Sequence, residues 1–120
     1  MLIVQDIFSR FVWTTAMTGT AQTAQAFQQI LDDTGRSPRE LNTDRGAEWT
    51  NIRFQALCKR ENIFQKFKKG RNDIATVDAA IGSLRQALTK RSARPGKTWV
   101  SELASATRGI NARSRDALQD

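Results

Sequence analysis

The sequence predicts an α/β fold, with its elements in the order β-β-α-β-α-β-α-α over one domain of 120 residues. Three observations predict it. Two runs rich in β-branched and aromatic residues open the chain, two shorter strand-like runs alternate with amphipathic segments, and two long helical patterns close it. Hydrophobic residues make up 39% of the chain and charged residues 26%, a balance that suits a chain with one buried core and is foreign to disordered chains.

Residues 2–7 (LIVQDI) and 11–17 (FVWTTAM) read as an antiparallel hairpin about Phe8-Ser9-Arg10. Alternation puts Phe11, Trp13, Thr15 and Met17 on one face and Val12, Thr14 and Ala16 on the other. After Thr18-Gly19-Thr20, the apolar residues Ala24, Phe27, Ile30 and Leu31 recur at helical spacing, with Thr20 or Thr23 as the N-cap and Gly35 as the stop. A short strand over 39–44 follows Ser37-Pro38 and ends at Asp44, before Arg45-Gly46. A helix from about Asn51 to Glu61 carries Ile52, Phe54, Leu57 and Cys58, and a strand over 63–67 leads into the polar loop 68–73. The clearest helix runs from Ile74 to Arg91, with Asn72 or Asp73 to cap it and a stripe of Ile74, Val77, Ile81, Leu84 and Leu88. Beyond Arg94-Pro95-Gly96 a last helix, about Thr98 to Arg113, buries Trp99, Val100, Leu103, Ala106 and Ile110. Phe11, Trp13, Phe27 and Phe54 also fall on apolar stripes and read as core, while Trp49 and Phe64 remain open.

The formal charge of +7 points to a polyanionic partner, with a solvated basic surface as the alternative. Cations crowd the middle of the chain at Lys59, Arg60, Lys66, Lys68, Lys69 and Arg71. Cys58 is the sole cysteine and histidine is absent. Together these exclude a disulfide framework, a Cys/His zinc site, a Cys-His nucleophile and a Ser-His-Asp triad. Any chemistry must rest on carboxylates. No apolar run approaches the roughly 18 residues of a membrane span, and the first residues lack a signal peptide's basic flank and cleavage site, so the expectation is no membrane partner and an intracellular protein, nuclear or cytoplasmic.

The informative constellation is Thr43-Asp44-Arg45-Gly46-Ala47-Glu48-Trp49, followed, with 33 residues between it and Asp44, by Asp78 near the start of the long amphipathic helix. One carboxylate ends a strand and the other rides on a helix. With Val4-Gln5-Asp6-Ile7-Phe8-Ser9-Arg10-Phe11-Val12 in the hairpin, Val77-Asp78 opening a helix, and Trp99, Leu103 and Asn111 in the last one, the chain resembles the catalytic core of retroviral and LTR-retrotransposon integrases over nearly its whole length.

That resemblance implies an RNase H-like mixed sheet flanked by helices. The family's first strand, which bears its first catalytic aspartate, precedes the hairpin and is not among these residues. It further implies a polynucleotidyl transferase that joins a DNA 3′-hydroxyl to a target phosphodiester, inactive in this form, with DNA as partner and a homo-oligomer as a possible state. The alternative is a non-catalytic nucleic-acid-binding remnant; a structural α/β domain without a DNA role is a third reading. Phosphodiester transfer of this kind uses two divalent metals about 3.5–4 Å apart, and the resemblance makes Asp44 and Asp78 the catalytic and metal-binding carboxylates for Mg²⁺ or Mn²⁺. Asp78 stands where the family has a glutamate, one methylene longer, and Ile81 stands where it has an asparagine. Asp6 is a candidate third carboxylate, although it matches a strand aspartate that is not a metal ligand in relatives. Each acid also has a purely structural role open to it, Asp44 in a turn and Asp78 at a helix start. Lys66, Lys68, Lys69, Arg71 and Arg85 are the candidate nucleic-acid contacts. Arg85 follows Asp78 by seven residues, about two turns and roughly 10 Å along the same helical face.

Overall fold

The structure, a computed structural model, describes residues 1–7, 9–68 and 75–119, without the side chains of Ala75 and of 114–119. Asn72, Asp73 and Ile74, expected to begin the long helix, lie outside the described residues. The chain forms two compact units, one from Met1–Leu2 and Met17–Ile74 and the other from Ile3–Ala16 and Ala75–Asp120.

The first unit is built on a parallel pair of strands. Strands β3 (Glu40–Thr43) and β4 (Phe64–Phe67) pair in the register Glu40 to Phe64 through Thr43 to Phe67. Backbone bonds from Phe64 N to Arg39 O and from Lys68 N to Thr43 O, each 2.8 Å, carry the pairing past both ends. A parallel pair needs a long crossover, and helices α2 (Ala47–Thr50) and α3 (Ile52–Arg60) supply it. Helix α1 (Thr23–Thr34) packs on α2 and α3.

Ala26, Phe27, Ile30 and Leu31 of α1 are buried with Phe54, Leu57 and Cys58 of α3, as the helical spacing predicts. The rings of Phe27 and Phe54 lie 5.6 Å apart, and Trp49 meets Phe54 edge-on at 5.0 Å, which places Trp49 against the same aromatic cluster. Ile52 departs from the predicted stripe and is 87% exposed, because it stands in the first turn of α3, at the boundary with α2. Gly35 closes α1 in the left-handed conformation, φ 65°, with its N–H on Leu31 O at 3.0 Å, the backbone geometry that favours glycine at a helix end. The expected threonine N-cap is replaced by other bonds. Thr20–Gln22 forms a 3-10 turn ahead of the helix, and the Thr23 hydroxyl donates back to Thr20 O at 2.8 Å.

The second unit joins a hairpin to two helices. Strands β1 (Leu2–Gln5) and β2 (Val12–Thr15) are hydrogen-bonded neighbours, and a connection of six residues makes them antiparallel. The turn is closed by Asp6 N on Phe11 O at 2.9 Å and Arg10 N on Asp6 O at 2.8 Å, with Arg10 in the left-handed region at φ 62°. Helix α4 (Ala75–Ser92) packs on α5 (Trp99–Gln119), and α5 packs on β2. Ala80, Leu84 and Leu88 face inward from α4, and Leu103, Ala106 and Ile110 from α5.

Alternation along β2 assigns two faces correctly but not the covered one. Val12 is the buried residue at 1% exposure, whereas Phe11 is 41% exposed and meets Trp13 in a tilted contact with ring centroids 4.9 Å apart. Trp99 and Val100, also predicted core, are 39% and 53% exposed in the first turn of α5. That turn is fixed instead by reciprocal bonds, Thr98 N to Ser101 Oγ at 3.0 Å and Ser101 N to Thr98 Oγ1 at 3.1 Å, which satisfy N–H groups that no helical carbonyl reaches.

Phe11 N–H and C=O belong to the turn and to β1, so those of Val12 point to the other edge of β2. There the Asn111 side chain meets both: Val12 N donates to Asn111 Oδ1 at 2.8 Å, and Asn111 Nδ2 donates to Val12 O at 3.0 Å. Thr14 Oγ1 and Thr107 Oγ1 lie 2.8 Å apart beside it. A helix side chain thus does for this strand what a neighbouring strand would do. The β-β-α-β-α-β-α-α order of elements is preserved apart from the extra short α2, and the described strands form two small sheets, one antiparallel pair and one parallel pair.

Candidate active site

The carboxyl end of a parallel pair is where adjacent loops diverge and leave room for a ligand, and Asp44 sits there, immediately after β3. Its side chain is exposed. Asp44 Oδ1 accepts from Gly46 N at 2.7 Å, a turn in which a carboxylate replaces a backbone carbonyl. The turn and the site are therefore compatible, since the bond engages one carboxylate oxygen and leaves the other without a hydrogen bond among the described residues.

The loop from Asp44 to Trp49 is held from several sides. Gln65 Nε2 on β4 donates to Thr43 Oγ1 at 3.0 Å and to Trp49 O at 3.1 Å, so one amide clasps both ends of the loop. Gln55 of α3 also donates to Trp49 O, at 3.1 Å, and to Gln65 Oε1 at 2.8 Å. Asn51 caps α3 by accepting from Phe54 N at 2.9 Å, and its Nδ2 donates to Ala47 O and Glu48 O. A Cβ on Gly46 would lie 2.6 Å from Glu48 Oε2, the far end of a flexible side chain that folds back over this loop. Nothing in the local sequence marks Gln65 or Gln55, because their partners lie up to 22 residues away; Asn51 carries the one visible signal, an asparagine just before a helical stripe.

Cations gather at the same end. Lys66 is exposed on β4, opposite Asn42 in the register, and half-buried Lys68 follows the strand with its N–H on Thr43 O. Arg45, beside Asp44, lies with its guanidinium carbon 4.9 Å over the Phe67 ring. Lys69 and Arg71 lie outside the described residues. Cys58 is buried in α3, and burial pushes its thiol above the ordinary value. A protonated, enclosed thiol is a packing group and a poor nucleophile.

Asp78 and Arg85 belong to the second unit, both exposed on α4, with Asp78 in the first turn where the helix dipole favours a negative charge. Asp6 is in that unit too, half-buried at the hairpin turn beyond the end of β1 and not within a strand. The structure thus brings Asp44, Lys66 and Lys68 to one strand end and sets Asp78 and Arg85 on one helix. Among the described residues no three Asp, Glu, His or Cys side chains come together as a metal site would require. Asp44 alone suits one ligand's share of a hard cation; a complete donor set is not formed by the described residues.

The fold is α/β and presents a turn-held carboxylate with flanking cations at the carboxyl end of its parallel strands. The model of the family described as integrase core domain matches residues 1–73, and the chain belongs to that family. The match includes Asp44 and stops short of Asp78. None of the curated proteins matches the chain in sequence.

Among solved structures, a chain in the simian T-cell lymphotropic virus intasome in complex with the PP2A regulatory subunit B56 gamma is 24% identical with a TM-score of 0.74, covering 88% of this chain and 39% of that one. Two structures of the HTLV-2 integrase catalytic core domain in complex with magnesium, a dimeric and a trimeric form, are each 22% identical with TM-scores of 0.72 and 0.74. They also cover 88% of this chain, and it spans 69% and 68% of theirs. At these identities the likeness establishes the shared fold: small sheets flanked by helices, as in integrase catalytic cores.

Proposed function

We propose that this chain is a DNA-binding polynucleotidyl transferase core that works in DNA integration, with Asp44 and Asp78 as its catalytic carboxylates and Asp6 as the candidate third. The observation that carries the reading is Asp44 itself, exposed and held by Gly46 N–H at the end of β3, inside the segment that the integrase core family matches. Mg²⁺ or Mn²⁺ is the cation class that suits such oxygen donors, and magnesium accompanies the HTLV-2 core. What the chain's own residues do is bind and orient: Lys66 and Lys68 next to Asp44, with Lys69, Arg71 and Arg85, hold phosphates without reading sequence. Asp78, shorter than glutamate, sets its carboxylate back toward the α4 backbone. A homo-oligomer and a nuclear or cytoplasmic setting complete the proposal.

The second reading, a nucleic-acid-binding remnant without catalysis, draws on the absence of a three-acid group among the described residues. One experiment separates the two. The chain is mixed with a labelled donor oligonucleotide and plasmid DNA over a range of Mg²⁺ and Mn²⁺ concentrations, and strand transfer and nicking are followed with wild type, Asp44→Asn and Asp78→Asn. Metal-dependent joining or nicking that either substitution reduces by about 100-fold or more supports the transferase. Salt-sensitive binding with no cleavage at any metal concentration supports the remnant, and no binding at low salt refutes both.

A further inference from the structure

Arg45 is the residue next to Asp44, and its position is set by more than its place in the chain. Its guanidinium carbon stands 4.9 Å from the centre of the Phe67 ring. Phe67 is the last residue of β4 and the register partner of Thr43, so the ring is fixed by the same strand pairing that fixes Asp44. Arg45 is exposed, and among the described residues its N–H groups have no hydrogen bond or ion pair. Asp44 does not engage it; one oxygen of that carboxylate is occupied by Gly46 N–H.

A guanidinium that lies on an aromatic face uses its plane for the contact and keeps its five in-plane N–H donors at the rim. Its fork geometry matches two oxygens of one phosphate, a match that a lysine ammonium lacks. We infer that Arg45, levelled by Phe67, is a phosphate fork that seats a phosphodiester of a polynucleotide beside Asp44, with Phe67 as the positioning residue. This rests on the nucleic-acid reading given above and adds to it the residue that sets where the backbone lies relative to the carboxylate. Lys68, next in line after Phe67, adds charge without orientation.

The test is fluorescence polarisation of a labelled DNA duplex across a salt series, with the full 120-residue chain as wild type, Arg45→Ala, Arg45→Lys and Phe67→Leu. Each phosphate contact contributes about 0.9 to the slope of log affinity against log salt, so Arg45→Ala should lower the slope by about one. Arg45→Lys and Phe67→Leu should keep the slope and lose about two- to fivefold in affinity, the size of an exposed cation–π contact. Circular dichroism shows whether Phe67→Leu still folds; if it does not, exposed Arg45→Lys decides alone. A wild-type chain with no salt-sensitive binding overturns the nucleic-acid reading and this inference together. Wild-type binding with an unchanged slope in Arg45→Ala overturns this inference only. An Arg45→Lys variant as tight as wild type overturns the fork.

Discussion

The two units solve the same problem, a two-stranded sheet too small to stand by itself, by different means. The parallel pair β3–β4 is backed by an aromatic cluster, Phe27, Phe54 and Trp49, and its crossover helices lie between the paired strands in sequence. The antiparallel pair β1–β2 is backed by a helix nearly a hundred residues further on, through the Asn111 amide and the Thr107 hydroxyl. The first solution frees the carboxyl strand ends, where Asp44 and its cations sit. The second engages the outer edge of its strand. A sheet held mainly by packing behind it can offer its strand ends to a ligand, whereas one held by side chains at its edge gives that edge up.

The largest expected effect tests the packing half of this contrast. Phe54→Ala removes the ring that both Phe27 and Trp49 meet and should destabilise the first unit by about 3–5 kcal/mol. Faster reaction of the Cys58 thiol with a disulfide reagent reads that opening, because Cys58 is buried in the same cluster. Hydrogen exchange in α4 and α5 should stay near the wild-type rate; an equal rise there would erase the distinction between the units.

Asn111→Ala tests the other half. It leaves one N–H and one C=O of Val12 without their partner, at a cost of about 1–3 kcal/mol, and a melting temperature indistinguishable from wild type would show that the edge bonds contribute nothing. The smallest effect sharpens the site. At Gly46, φ −59° accommodates alanine, and the new methyl meets only the mobile end of Glu48. Gly46→Ala should therefore change stability by no more than about 0.5 kcal/mol, and a loss well above that in urea unfolding would mean that the Glu48 carboxylate is rigidly held.

The elements were largely legible because their signals are local. Gly35 ends α1 where an αL residue is expected, and Phe27 and Phe54 fall on stripes whose period identifies the covered face. The hairpin was harder, since both faces of β2 carry apolar residues and alternation cannot say which is covered; Val12 is covered and Phe11 is not. Likewise Trp99 and Val100 share the helical pattern of α5 but stand in its first turn, where that pattern does not decide cover. At the candidate site Asp44 was legible from its place after a strand and before Arg45-Gly46. Gln65 and the placement of Arg45 over Phe67 were not, because each depends on the register of β4 against β3, which alternation alone does not fix.

The bond pair at Val12 has a consequence for how the molecule meets its own kind. An unpaired strand border is a template on which a second chain can grow, and here its first rung is already taken by a carboxamide anchored in α5. A foreign strand would have to evict that carboxamide before it could dock, so the helix acts as a latch against lateral growth. Loosening α5 should then show itself as concentration-dependent self-association, visible by light scattering, before it shows as unfolding.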